Sequence, residues 1–531
     1  MHGDSHHRVN YMKFYSMYKV ITILAIVVAL AGCTKRFNDL NTPPDRISAD
    51  KIDVALLGQA FAQAQYQGMF QDRDGFQILQ SLYTDQYAQY FAATHPNFPS
   101  DQFQEVGSWT GRYGWDYIYT VPAPQVRFVE QFTEKNNMPL ANAIAKVWRV
   151  EFFHRITDIW GPIIYSQFGN GQTVVTYDAQ KDIYHNFFQA LDSAVAVLKD
   201  HAGENAFGSN DQVFNGDANK WLVFANSLRL RLAMRISYVE PDLAKQEAEK
   251  AVAAGVMTTN TDNAYVATTL NSLNGYAKIT YIHEFRMSAT MASVLLGFED
   301  PRLSEYFAEA EVGGGYKGIR NGLTVAERGD RITLQNTHSF IAQKWRPLAN
   351  GGTNPPIDVM AAAEVYFLRA EGALKGWNMG GTAQELYNEG IRTSLKERTG
   401  AAPTAIEDYI VSTKTPTALN DQWNTPAMSD IPVAFLTSGT PEKQLEQIIT
   451  QKWIALYPNS SEAWAERRRT GYPVGFPIIQ SLNLNVAANQ QMRRLTFAQG
   501  EFTTNADGVK TGISLLGGEN NNATKLWWDA K

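Results

Sequence analysis

The only thiol in this 531-residue chain belongs to Cys33, and the residues ahead of it suit a lipid-attachment reaction. Basic residues precede an uncharged apolar run at 20–31, which is shorter than the ~20 helical residues that cross a bilayer core. The run ends in Leu-Ala-Gly-Cys at 30–33, which resembles the bacterial lipobox, whose cysteine is acylated on sulfur and, after cleavage, on its amine. We therefore predict a lipoprotein signal peptide over residues 1–32 and lipidation at Cys33. An ordinary cleaved signal peptide is the alternative.

Acyl chains would attach the protein to a membrane without a transmembrane helix. Each buried methylene contributes about 0.8 kcal/mol and a single chain binds only marginally, so several chains on one cysteine are needed. Residues 33–49 are polar and contain Pro43-Pro44, which predicts an extended, lipidated tether. The absence of a second cysteine excludes disulfides, a second thiolate nucleophile and a cysteine-based zinc site.

The sequence contains no recognisable catalytic, metal or cofactor motif. His283-Glu284 lacks the His-Glu-x-x-His spacing that places two zinc ligands on one helix face. There is no Gly-x-Ser-x-Gly nucleophile turn, phosphate-binding loop or EF-hand loop. We predict no catalytic residues, no metal and no cofactor. A pair of acidic glycosidase residues would leave no spacing signal, so a lipid-anchored glycoside hydrolase remains an alternative.

Aromatic side chains in glycine-rich or loop-rich stretches are the best candidates for ligand contacts, because flat rings stack on sugars. Residues 107–114 are punctuated by glycine and are not expected to be helical. The candidate binding residues are Trp109, Tyr113 and Trp115, with Asp101 and Arg112 as polar partners and with Tyr83 as a further ring. Trp345 and Trp423 are weaker candidates in loops. The alternative is that these rings are buried, and the spacing of Tyr83, Tyr87 and Tyr90 favours core packing.

Charge argues against nucleic acid as a partner. Removal of residues 1–32 takes away three basic residues and one acidic residue, so the formal net charge changes from −6 to −8. Nucleic-acid-binding proteins present a basic face. The aromatic fraction of 12% includes 12 Trp and 24 Tyr, which supply rings for a core and for a binding surface.

Helical periodicity dominates the chain after the tether. The predicted helices span 180–199, the segment after the capping residue Asp217, 241–254, the pair 359–375 and 383–396, and the pair starting at 441 and 460. Long loops are expected at 95–114, 313–329, 350–356 and 401–441, and loops of this length usually have a function. No clean linker interrupts 50–531, which we interpret as a single domain.

These helical blocks resemble the SusD/RagB family, and in particular its SusD-like second subfamily. The motifs that carry the resemblance are, in chain order, 37–43 (FNDLNTP), 158–163 (DIWGPI), 177–180 (YDAQ), 224–235 (FANSLRLRLAMR), 300–303 (DPRL), 451–453 (QKW), 462–473 (EAWAERRRTGYP) and 524–529 (TKLWWD). The chain departs from the family at 493–497, which lacks prolines, and at 34–36, which lacks an acidic pair.

The resemblance implies a mainly α fold of tetratricopeptide-like helix-turn-helix repeats with long loops and minor β structure. It also implies an outer-membrane lipoprotein that faces the cell exterior and passes an oligosaccharide, or a peptide, to a SusC-like TonB-dependent transporter. Such a protein is not an enzyme. A helical-repeat scaffold of the envelope that binds no nutrient is a further alternative.

Overall fold

Apolar residues at helical spacing form long helices over most of the chain. The computed structural model describes residues 54–531, so the predicted signal peptide, Cys33 and the predicted tether lie outside the described residues. Gly58–Lys531 groups as one compact unit, and of the other unit, Met1–Leu57, only the start of the first helix is described. The division of the chain at residues 32 and 49 stays a prediction.

The helices are α1 Val54–Gly68, α2 at 73–87, α3 at 107–120, α4 Pro122–Lys135, α5 Pro139–Trp160, α6 Gln180–Asp200, α7 Ala218–Arg235, α8 Pro241–Ala254, α9 Gly275–Ile279, α10 Ala289–Gly297, α11 Leu303–Tyr306, α12 Val325–Arg328, α13 Arg331–Asn336, α14 Ala362–Leu374, α15 Ala383–Arg398, α16 Pro403–Ile410, α17 Pro441–Leu456, α18 Ser460–Thr470, α19 Glu501–Thr504 and α20 Ala506–Ser514. The strands β1 Phe91–Ala93 and β3 Phe285–Met287 pair antiparallel, as do β2 Ala264–Val266 and β4 Ile357–Met360. The prediction of a mainly α fold with minor β structure is confirmed.

Consecutive helices pack as helix-turn-helix units. Helices α4 to α8 contact one another in sequence order, α14 pairs with α15, and α17 pairs with α18. Helix α14 also packs on α7 and α17, which joins the early helices to the late ones. Among the described residues, no helix combines the length and the apolar character needed to cross a membrane.

Local signals in the sequence explain where several helices begin and end. The carboxylate of Asp217 accepts hydrogen bonds from the backbone N–H groups of Asn219 (2.9 Å) and Lys220 (3.3 Å), which confirms the predicted cap of α7. Helix α8 ends at Gly255, whose φ of +99° suits glycine. In the pair predicted at 359–375 and 383–396, Val359 lies instead in β4, and α14 begins at Ala362.

A network of buried ion pairs joins the early helices to the late ones. Arg231 donates to both carboxylate oxygens of Glu364 at 2.8 and 2.7 Å. Arg235 contacts Glu462 at 2.6 Å and Glu466 at 2.9 Å. Each of these side chains is at most 4% exposed. A buried charge without a partner is costly, so these pairs fix how α7, α14 and α18 pack together.

Candidate ligand-binding cleft

One cleft is built by loops on the side of the two short helices α12 and α13. It has a volume of about 480 Å³. It is lined by residues 316–320, Leu323, residues 417–423 and side chains of α10, α12, α13 and the segment after α13. The loop at 313–329 was predicted from its glycines. Gly313, Gly314 and Gly315 have φ values of +82°, +57° and +69°, a conformation that favours glycine and that leads the chain into Tyr316.

Apolar residues form the floor of the cleft. Ile319 and Leu323 are buried together with Ala92 of β1, and Leu334 of α13 and Trp423 pack against them. Gly318 allows this close approach, because a Cβ atom there would lie 2.4 Å from the backbone oxygen of Ser288. The floor is therefore anchored to the strand region and is not a free loop.

Trp423 is a half-buried ring at the edge of the cleft, and the guanidinium of Arg320 packs against one face of the ring. The guanidinium carbon of Arg320 lies 5.5 Å from the centroid of the Trp423 ring and 5.0 Å from that of Phe476. Arg320 also donates to the hydroxyl of Thr425 (2.8 Å) and the carbonyl of Pro477 (2.8 Å). The carboxylate of Asp421 accepts from the backbone N–H of Trp423 at 3.0 Å. These contacts keep one face of the indole in place.

Polar groups also line the cleft. Tyr316 is half-buried, and Lys317 and Glu327 are exposed. The ring of His338 bonds through Nδ1 to the carbonyl of Leu334 (2.9 Å), which assigns the proton to Nδ1 and leaves Nε2 as an acceptor. Burial, with the nearby charges of Lys317 and Arg286, lowers the pKa of His338, so its ring is neutral at pH 7. The cleft thus offers both donors and acceptors.

This combination suits binding of a sugar chain. Two half-exposed rings can stack on pyranose faces, and the surrounding polar groups can bond to hydroxyls. Among residues 54–531, no cluster of three or more potential metal ligands occurs. Of these lining residues, the sequence analysis named only Trp423, as a weaker candidate. The glycine run before Tyr316 and the length of the two loops were the available signals for the others.

Three predicted binding residues lie on the outer side of α3. Trp109 and Tyr113 are half-buried and Arg112 is exposed, with its guanidinium carbon 5.2 Å from the centroid of the Tyr113 ring. The Trp109 ring meets Phe98 edge-on at 6.0 Å. None of the three lines the cleft. Their predicted contact with a ligand stays a prediction.

The prediction that residues 107–114 are not helical is wrong. The helix that forms there explains why Trp115 is buried. The stretch forms the start of α3 and continues as a π-helical segment, Thr110–Asp116. A Cβ atom on Gly114 would lie 3.0 Å from Leu79 and 3.5 Å from Trp160, so this glycine serves close helix packing and does not make a turn. Trp115 is 1% exposed and stacks on Tyr177 at 5.5 Å.

Tyr83 and Trp345 are also in the interior, so the structure contradicts their use as exposed rings. Tyr83 lies in the π-helical part of α2, and its hydroxyl accepts from the backbone N–H of Val106 at 2.8 Å. Trp345 is 3% exposed and meets Tyr276 and Tyr457 edge-on. Burial of these large rings contributes to the core, and for Tyr83 this is what the spacing of Tyr83, Tyr87 and Tyr90 favoured.

Asp101 is buried as well and supports the wall of the cleft, so it is not free to contact a ligand. Its carboxylate accepts from the backbone N–H groups of Ala93 (3.0 Å) and Gly322 (3.2 Å) and from the guanidinium of Arg328 (3.0 Å). Burial raises the pKa of Asp101 to about 6 against the opposing charge of Arg328. Arg328 also donates to the carbonyl of His95 at 3.0 Å, which ties the end of α12 to residues near Trp109.

Comparisons with known proteins agree with this architecture. The model of the SusD-like family, described as SusD and RagB outer membrane lipoprotein, matches residues 39–529. A chitin-binding SusD homologue from Flavobacterium johnsoniae is 38% identical with a TM-score of 0.82, and the match covers 90% of this chain and 99% of that one. A SusD homologue from Bacteroides thetaiotaomicron is 32% identical with a TM-score of 0.81, with the same coverage of 90% and 99%. A further chitin-binding protein is 27% identical over 90% of this chain and 100% of its own, with a TM-score of 0.73. A search of curated proteins found no match.

Proposed function

The chain belongs to the SusD-like family of outer-membrane lipoproteins, and from this premise we propose that it captures oligosaccharides in the cleft between Tyr316 and Trp423. It delivers them to a SusC-like TonB-dependent transporter. Acyl chains on Cys33 hold it at the outer membrane, with the cleft towards the cell exterior. It releases its ligand unchanged and catalyses no reaction.

The observation that carries this proposal is the pairing of rings and polar groups in one cleft. Trp423 is braced on one face by Arg320, so stacking a sugar on its other face requires little loss of side-chain freedom. Lys317, Glu327 and His338 supply hydrogen-bonding groups within the same cleft. A volume of about 480 Å³ accommodates a few sugar units and leaves the remainder of a chain outside.

The proposed ligand class is a β-1,4-linked chain of N-acetylglucosamine. Two of the similar structures are described as chitin-binding, and one of them is 38% identical to this chain over nearly its whole length. An N-acetyl group has an apolar methyl and a polar amide. The floor formed by Ile319 and Leu323 suits the methyl, and the polar rim suits the amide.

Isothermal titration of the mature chain carrying Cys33→Ser with chitohexaose tests this proposal. Cellohexaose, which lacks the acetamido groups, and a tetrapeptide pool are the comparison ligands. We expect chitohexaose to bind more tightly than either, and Trp423→Ala and Tyr316→Ala to weaken it. Tyr281→Ala is the matched control, because this ring is 62% exposed and lies outside the cleft.

Two results would overturn the proposal. Unchanged chitohexaose affinity in both cleft variants would remove the cleft as the binding site. New reducing ends after incubation with chitohexaose would favour the hydrolase, with Glu327 and Asp421 as the carboxylates of the cleft to replace first.

A further inference from the structure

A second pocket is lined by Phe476, the ring that Arg320 of the cleft contacts. It has a volume of about 260 Å³ and shares no lining residue with the cleft. Its floor contains the buried side chains of Tyr87, Phe103, Arg467 and Phe476. Exposed residues, among them Val474, form its mouth. The pocket is therefore open to solvent and has a buried, partly apolar floor.

Arg467 of α18 is a buried cation that lines this pocket. It is 4% exposed, and no Asp or Glu within residues 54–531 forms an ion pair with it. Its Nη1 donates to the carbonyl of Tyr87 (2.6 Å) and its Nε to that of Pro473 (3.4 Å). By contrast Arg469, two residues further along α18, makes bidentate contacts with Glu371. Burial lowers the pKa of Arg467 to about 10, so it remains charged at neutral pH.

The free edge of this guanidinium lies at the pocket wall. Nη2 forms no hydrogen bond within the described part of the chain. A Cβ atom on Gly475, which also lines the pocket, would lie 1.9 Å from the amide oxygen of Gln89 and 2.6 Å from Nη2, so a larger residue there would displace both groups. The hydroxyl of Tyr87, on the same floor, is buried and forms no hydrogen bond with the described residues. Both groups can donate to an anion.

We propose that this pocket binds the carboxylate of a small organic acid, such as a uronic acid or a peptide C-terminus, through Arg467. A single cation matches a single negative charge, and guanidinium geometry matches the two oxygens of a carboxylate. Phe103, Phe476 and Val474 provide apolar contacts for the carbon part of the ligand. The site is independent of the cleft, and it would let the protein recognise an acidic ligand that the cleft does not select.

Titration of the mature chain carrying Cys33→Ser with D-glucuronate, N-acetylglycine and D-glucose tests the inference. Glucose is the neutral match of glucuronate, and N-acetylglycine represents a peptide C-terminus. We expect at least one of the two acids to bind with a dissociation constant of about 1 mM or tighter, and glucose not to bind. Arg467→Gln should weaken that acid at least tenfold.

Because Arg467 is buried, its replacement also affects folding. A second variant therefore tests the pocket at an exposed residue. Val474 is 36% exposed at the mouth, so Val474→Trp should block entry and leave the thermal melting temperature unchanged. Trp423→Ala should leave acid binding intact, which separates this site from the proposed sugar cleft. Absence of binding by both acids, equal binding of glucose and glucuronate, or full acid affinity in Val474→Trp would each overturn the inference.

Discussion

The helical core and the loop-built cleft both contain charged and aromatic side chains, but they differ in how these groups are satisfied. In the core, Arg231 and Arg235 are at most 1% exposed, and both form ion pairs with carboxylates of other helices. In the cleft, Trp423 and Tyr316 are half-buried, and Lys317 is exposed. Buried ion pairs specify the packing of the helices, whereas groups with an exposed face remain available to a ligand.

This difference separates stability from binding. Replacing a core group leaves a buried charge without its partner, and the cost appears as free energy of unfolding. Replacing a cleft ring removes a surface that a ligand uses and disturbs few internal contacts. Four predictions, in decreasing order of expected effect, test this separation.

Arg235→Gln should lower the free energy of unfolding by about 3–5 kcal/mol, because it removes the closest buried cation of Glu462 and one of the three buried cations that contact Glu466. Denaturant unfolding measures the change. Arg392→Gln is the matched control: its partner Glu407 is 55% exposed, and loss of a surface pair costs at most about 1 kcal/mol. Equal losses in the two variants would contradict a special role for the buried network.

Asp85→Asn should flatten the pH dependence of stability. Burial raises the pKa of Asp85 from 3.8 to about 8, and the Tyr276 hydroxyl donates to its carboxylate at 2.9 Å. Between these values the folded chain holds a proton that the unfolded chain has lost, so this group's contribution to stability falls as pH rises, by about 1.4 kcal/mol per pH unit. Unfolding free energies at pH 5 and pH 7 measure the slope.

In that experiment, the slope of Asp85→Asn should be shallower than that of the unmodified chain. Asp507→Asn is the surface control, because this carboxylate is 73% exposed. Identical slopes for Asp85→Asn and the unmodified chain would show that the carboxyl group titrates alike in both states.

Arg320→Gln should weaken chitohexaose about tenfold, because it removes the cation that braces the indole of Trp423. We expect a larger decrease in ligand affinity than in stability, since Arg320 lines the cleft and does not belong to the network of buried ion pairs. Titration together with a thermal melt separates the two. A large drop in melting temperature with unchanged affinity of the folded fraction would show that Arg320 stabilises the fold and does not support ligand binding.

Trp109→Ala should have the smallest effect, about a twofold weakening, and only for long ligands. Trp109 lies outside the cleft, but Arg328 ties the end of α12 to the carbonyl of His95 nearby, so a long chain can extend over this segment. Comparison of chitobiose with chitohexaose measures the difference. Equal weakening of both oligomers would indicate a direct contact in the cleft.

The sequence predicted the core much better than the cleft. The motif at 224–235 has a helical period, and Asp217 caps its helix, so local signals were sufficient for α7. The helix pair α14 and α15 followed from the same periodicity. Local signals misplaced Trp115 of α3, because the glycine at 114 permits close packing of a π-helical segment against α2 and Trp160.

The cleft could not be predicted because it depends on contacts between distant segments. Trp423 is braced by Arg320, about a hundred residues earlier, and the floor includes Ala92 of β1. Asp101 seemed free in the sequence, but three donors from β1, the loop at Gly322 and α12 occupy it. No spacing within one segment carries such information.

The separation of stability from binding is tested most directly by measuring the free energy of unfolding and the chitohexaose affinity of the same two variants. We expect Trp423→Ala to lose chitohexaose affinity about tenfold or more while its unfolding free energy changes by less than about 1 kcal/mol. Arg235→Gln should lose several kcal/mol of stability, about 3 or more, while its folded fraction keeps the affinity of the unmodified chain. If Trp423→Ala bound chitohexaose as tightly as the unmodified chain, the cleft would not be the capture site.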